Sequence, residues 1–141
     1  MSYATPQHMI ERFGERDIIQ LTNRPNSGPA PTGVDLERLE SALKDAFDLI
    51  NGYLGKRYPL PLEPIPTLAI RWSCDLARWF LQPGAAPEMV RANYERTLEE
   101  LKAAASGELS LGLPDTDMGG LWSGGVDFVG PKRRFKDMDE Y

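Results

Sequence analysis

Between Leu36 and Leu54 the apolar residues Leu36, Leu39, Leu43, Phe47, Ile50 and Leu54 recur at three- and four-residue intervals, and alternation at period two fails. That periodicity predicts an amphipathic helix. Extended from Val34 to Lys56, it would run about 34 Å at 1.5 Å per residue. Thr32 and Asp35 have the spacing of a capping box, with Asp in place of the usual Glu. Gly52 and Gly55 weaken the final turns.

Other stretches read the same way. Thr5 suits an N-cap and Pro6 a first helical position. Met9, Ile10 and Phe13 then give a short apolar face that Gly14 closes. A second short helix fits Glu15 to Leu21, with Ile18 and Leu21 on one side. Pro66 opens a long helix to about Gln82, in which Leu68, Ala69, Trp72, Leu76, Trp79 and Phe80 cover more than half the circumference. Such a helix belongs at the centre of a bundle. Arg71, Asp75 and Arg78 line its narrow polar stripe and are placed to pair along it. A last long helix starts at Pro87, with Val90, Tyr94, Leu98, Leu101 and Ala105 as its buried stripe and Arg91–Glu95 and Arg96–Glu100 as i,i+4 pairs. Gly107 is placed as the glycine after its end.

Breakers separate these elements. Residues 24–33, with Pro25, Gly28, Pro29 and Pro31, predict an exposed loop. Four prolines between Tyr58 and Pro66 remove donors and fix φ, which predicts a semi-extended connector between antiparallel helices. The expected architecture is mainly α: a small bundle of three long helices plus short N-terminal helices, occupying residues 1–106. Residues 107–141 form a glycine-rich, extended C-terminal arm.

Composition sharpens the picture at that arm. Seven of the 13 glycines lie from Gly107 to Gly130, and no Lys or Arg occurs between Lys102 and Lys132. Gly119-Gly120-Leu121-Trp122-Ser123-Gly124-Gly125 reads as a linker carrying one large aromatic, and Val126, Phe128 and Val129 suit a short strand. The end is charge-segregated: Lys132-Arg133-Arg134-Phe135-Lys136, then Asp137, Asp139, Glu140 and Tyr141. Low apolar content against high ordering entropy predicts that the arm is mobile until a partner orders it. Trp122, Phe128, Arg133, Arg134, Phe135 and Tyr141 are its expected docking residues, aromatic anchors and basic contacts for a partner groove.

For the whole chain, 141 residues suit one domain, and 41% hydrophobic content is ordinary for a globular protein. A net charge of −5 argues against tight binding of duplex DNA, which draws its affinity from clustered Lys and Arg. No apolar run approaches the roughly 20 residues of a membrane span, and the N-terminus lacks the pattern of a signal peptide. The single cysteine, Cys74, excludes an internal disulfide and fits a reducing cytoplasm.

Candidate chemistry is sparse. One Cys and one His, far apart, do not make a zinc site. His8 reads as a surface or capping residue, and Cys74 as an inert packed thiol. Asp45/Asp48 and Glu99/Glu100 fall on polar faces and read as solvated. The glycine stretch lacks the Gly-Lys-Ser/Thr of a phosphate loop. These readings predict no enzymatic activity, no cofactor and no metal.

Several stretches together carry a family resemblance. Tyr3-Ala4-Thr5-Pro6, Arg12-Phe13-Gly14-Glu15 and Ile19-Gln20-Leu21-Thr22 resemble the opening of the small Mu-like prophage proteins called gp36-like. Tyr53-Leu54-Gly55-Lys56-Arg57-Tyr58-Pro59-Leu60-Pro61-Leu62, Pro66 and Asp75-Leu76-Ala77-Arg78-Trp79 are similar to that family's middle. Gly107-Glu108-Leu109-Ser110-Leu111 and Arg134-Phe135-Lys136-Asp137-Met138 are similar to its end. His8 stands where an acidic residue is expected. The family is similar to head–tail connector, or head-completion, proteins of tailed phages. The resemblance implies a ring below the portal, assembled in the host cytoplasm and sited in the virion neck. Its implied partners are other copies of the chain, the portal protein and a tail-terminator or neck protein. DNA would pass through the lumen without specific binding, and no membrane is involved. Matching the portal would give a ring of about twelve copies. Arg24, Arg38 and Lys44 are the expected inter-subunit charges. A small DNA-packaging or regulatory DNA-binding protein is the alternative, and it would need a basic recognition helix.

Overall fold

The structure, a computed structural model, describes residues 1–23 and 33–114. These contain five helices: α1 (Pro6–Phe13), α2 (Glu15–Thr22), α3 (Leu36–Leu54), α4 (Thr67–Leu81) and α5 (Glu88–Ser106). No strand occurs among the described residues. The short strand expected near Val126 falls outside them, as does most of the loop at 24–33.

Each helix begins and ends for a local reason. At α1 the Thr5 side chain accepts from the His8 amide, while His8 Nδ1 accepts from the Thr5 amide at 2.9 Å. Imidazole thus completes the capping box that Glu or Gln usually closes. Gly14, at φ 94°, ends α1 and starts α2, a backbone conformation that glycine adopts without Cβ strain. α3 starts two residues later than Val34: Asp35 is itself the N-cap, its carboxylate accepting from the Arg38 amide, so the expected box with Thr32 does not set the start. The helix ends at Leu54, ahead of Lys56. α5 closes on Gly107 in the left-handed region.

α4 is the central helix, packed against α1, α3 and α5. One half of the core joins Ile50, Leu54, Tyr58, Leu62, Trp72, Leu76 and Leu101; the other joins Met9, Ile18, Leu39, Leu43, Cys74 and Leu81. Tyr3 ties the N-terminus to the first half. Its ring packs on Phe47, and its hydroxyl donates to Asn51 Oδ1 while accepting from the Leu62 amide at 3.0 Å. The connector at 58–66, which contains cis peptide bonds before Pro61 and Pro64, is thereby held to α3.

Three expectations from periodicity are corrected by packing. Leu36, at 54% exposure, and Phe80, at 38%, face outward, and Leu81 takes the buried position at the end of α4. On α5 the buried residues are Thr97, Leu101 and Ala104; Val90, Tyr94, Leu98 and Ala105 are only half-buried, because α4 and α3 cover one edge of that stripe. Asp75, Arg71 and Glu100 find their ion-pair partners on other helices rather than along their own.

From Gly107 to Pro114, where the described residues end, the chain stays on the body. The Leu109 amide returns to the Ala103 carbonyl, and Leu109, Leu111 and Leu113 pack on the core.

Candidate functional site

The polar stripe of α4 becomes an arginine–carboxylate seam. Asp75, with 1% of its side chain exposed, receives Nε and Nη2 of Arg12 from α1 at 3.2 and 3.3 Å, and Arg96 from α5 stands 3.9 Å from it. One turn away, Arg71 pairs with Glu100, which also accepts from Trp72 Nε1 at 2.9 Å. Glu100 is therefore not a solvated carboxylate. Arg78 donates to Gln82, and Arg91 approaches Glu88 rather than Glu95.

Burial pushes the Asp75 carboxyl above its ordinary value, and the surrounding arginines oppose that shift. The oxygen atoms are occupied by guanidinium groups and closed to solvent, so the arrangement clamps α1 and α5 to α4 and leaves no room for a substrate. Beside it, burial pushes the Cys74 thiol up to about 11, the positive field of Arg12 only partly opposing. A thiol so raised is a poor nucleophile near neutral pH. His8 is consumed by its cap. Among the described residues no group of three His, Cys, Asp or Glu is placed to hold a metal ion.

The remaining features are surfaces. At one end of α3, a groove of about 430 Å³ is lined by Tyr58, Pro59, Pro61, Leu62, Glu63, Leu113 and Pro114. Leu60 and Ile65, both more than 40% exposed, stand on the same connector. Arg57, at its base, donates from Nε to the Ala105 carbonyl at 3.1 Å and from Nη2 to the Ser106 carbonyl at 3.2 Å. It thus satisfies carbonyls that the end of α5 leaves free. Gly107 makes this possible: a Cβ there would lie 2.9 Å from the Arg57 guanidinium carbon. At the other end of α3, Asp35, Glu37, Arg38, Ser41, Ala42, Asp45, Phe80 and Leu81 line a shallower recess of about 510 Å³.

Of the residues singled out from sequence, Arg38 lies in that recess, and Lys44 forms an exposed pair with Asp48 at 3.0 Å. They share α3 but no common site. Arg24, Trp122, Phe128, Arg133, Arg134, Phe135 and Tyr141 lie outside the described residues. Sequence reasoning finds in the proline connector only a spacer. Its surface role is readable in Leu60 and Ile65, apolar residues set among prolines where no helix could bury them.

Residues 3–124 match the family described as Bacteriophage Mu, Gp36. A Mu-like prophage FluMu protein gp36 of Haemophilus influenzae is 36% identical over 115 residues, which is 82% of this chain and 79% of that protein. Gene product J of Escherichia phage Mu is 31% identical over 113 residues, 80% of this chain and 78% of that one.

Proposed function

Because the chain belongs to the Bacteriophage Mu Gp36 family, we propose that it is a non-enzymatic structural subunit of a tailed-phage particle, a head–tail connector that forms a ring below the portal and joins capsid to tail. The observation that carries this reading is the pair of unlike surfaces at opposite ends of α3. Exposed Phe80 and Leu36 stand by the recess at its start, and exposed Leu60 and Ile65 by the groove beyond its end. Nineteen helical residues put these ends about 28 Å apart. A ring needs such a pair, since a head-to-tail contact joins two different patches and closes when its rotation does.

The charges support it as well. Arg71 and Arg78, the basic residues of α4, are bonded within the chain, and α5 sets four glutamates against Arg91, Arg96 and Lys102. Neither helix offers a basic recognition face. A net charge of −5 suits a wall that DNA slides past. Among the described residues no helix is long and apolar enough to cross a membrane. On this reading the partners are neighbouring copies, the portal protein and a neck protein, and the place is the virion neck.

Co-expression with the phage's portal protein tests it. A stable complex retained through gel filtration is expected, with no shift of duplex DNA at physiological salt. Tight, sequence-selective DNA binding without portal binding would favour the DNA-binding alternative.

A further inference from the structure

The seam over α4 holds more positive charge than its carboxylates neutralise. Arg12, Arg71 and Arg96 converge there on Asp75 and Glu100, while Arg78 donates to Gln82 farther along the stripe. Among the described residues no other carboxylate pairs with Arg12 or Arg96. The shortfall shows in the hydrogen bonding as well: Arg71 Nε, one turn from Asp75, is buried and finds no acceptor among the described residues. In a partly dehydrated site, a surplus cation draws a counterion more strongly than it would in bulk water.

Asp75 occupies only the inner edges of its two arginines. Arg12 commits Nε and Nη2 to the carboxylate, Nη2 lying 3.3 Å from Oδ2. Arg96 Nη2 stands 3.9 Å from the same Oδ2 and donates to Asn93 Oδ1 at 3.2 Å. Two guanidiniums from different helices thus meet at one oxygen. Their other N–H groups, on Arg12 Nη1 and on Arg96 Nε and Nη1, have no acceptor among the described residues, and the two side chains are 34% and 48% exposed. Both are already held in place. Arg12 is fixed by Asp75 and by the Phe13 ring, whose centre lies 5.7 Å from its Cζ, and Arg96 by Asn93. A ligand that binds them forfeits little side-chain freedom.

We propose that Arg12 and Arg96 together form a receptor for one phosphate group, seated on the solvent side of Asp75 and bridging α1 to α5. Guanidinium forks match phosphate oxygens in charge and spacing. A tetrahedral phosphate turns separate oxygens toward guanidiniums that arrive from two helices, where a planar carboxylate offers both of its oxygens in one plane. A free phosphate ion and a nucleic-acid backbone present the same oxygens. A single contact of this kind is salt-sensitive and carries no sequence information, which sets it apart from tight, selective binding of duplex DNA. The receptor belongs to the folded chain and does not depend on the ring reading.

NMR of the full-length, nitrogen-15-labelled protein tests it, by titration with sodium phosphate near neutral pH against sodium chloride at matched ionic strength. Saturable shifts of the Nε–Hε resonances of Arg12 and Arg96 are expected. Arg96→Gln weakens binding about tenfold, read at Arg12, through the loss of one charge-assisted contact. Arg91→Gln, at an arginine of the same helix with 50% exposure, leaves binding unchanged, and helical circular dichroism is the same for both variants. Shifts that grow linearly and match those from chloride overturn the proposal, as does equal weakening by the two variants. Acetate that saturates as tightly as phosphate would give the pair to a carboxylate and overturn the phosphate assignment. Thymidylyl-thymidine, which carries one phosphodiester, separates the sources. Arg96-dependent saturation by it supports a nucleic-acid backbone as the ligand, and saturation by inorganic phosphate alone supports the free ion.

Discussion

Asp75 and Cys74 sit side by side on α4, buried alike and used differently. Asp75 holds Arg12 and Arg96, which come from helices on either side. Removing a carboxylate that neutralises buried cations costs about 3–5 kcal/mol, but Arg12 and Arg96 are 34% and 48% exposed and can rehydrate. Asp75→Ala is therefore expected to cost about 2 kcal/mol in urea unfolding, and Arg12→Ala more, because it leaves the buried carboxylate without its two closest donors. A loss under about 0.5 kcal/mol, the range of ordinary surface changes, would mean that the seam does not clamp the helices. For Cys74, folding raises the thiol from 9.0 to about 11, so the folded state keeps a proton that the unfolded chain releases. That contribution is complete below pH 9.0 and is lost as pH rises toward 11. Wild type should lose about 2 kcal/mol relative to Cys74→Ala across that window, measured by unfolding at matched ionic strength. Parallel pH profiles for the two proteins would contradict the burial of the thiol.

Among the elements, α3 is the most legible in the sequence because its stripe is long and its period unambiguous. Its first turn is not: Leu36 fits the period, yet it is 54% exposed among the described residues. At the end of α4 Phe80 is likewise exposed, and its neighbour Leu81 is buried. Periodicity says which face a residue occupies, not how far along the axis a neighbour extends. Charge pairing escapes the sequence for a related reason. Spacing along one helix finds i,i+4 partners, but Asp75 and Glu100 find theirs on other helices, at sequence separations no local rule sees. Tyr3 is a third case, a residue before the first helix that binds the connector. Tyr3→Phe leaves the buried Leu62 amide without its acceptor and should cost about 1–3 kcal/mol in thermal or chemical unfolding. An unchanged midpoint would mean that the connector is held by packing alone.

At the scale of the whole molecule, the helical class and the order of the elements are written in the pattern, and the surfaces are not. A groove forms only when the connector and the segment after α5 meet, so Pro59 and Leu113 have no sequence signal linking them. The expected docking residues Trp122, Phe128, Arg133, Arg134, Phe135 and Tyr141 lie outside the described residues, and their role is best approached by deletion. Removing residues 132–141 should leave helical circular dichroism and the unfolding midpoint unchanged while abolishing retention on the portal protein. Retention by the truncated chain would relocate docking to the body, where Phe80, Leu60 and Ile65 are exposed. The central claim is that this protein is a ring subunit between portal and tail, and cryo-electron microscopy of the intact phage particle tests it most directly. The expected result is a ring of density below the portal into which the five-helix body fits, with the groove end and the recess end of adjacent copies in contact. Density for the chain elsewhere in the particle, or its absence from purified particles, would contradict it.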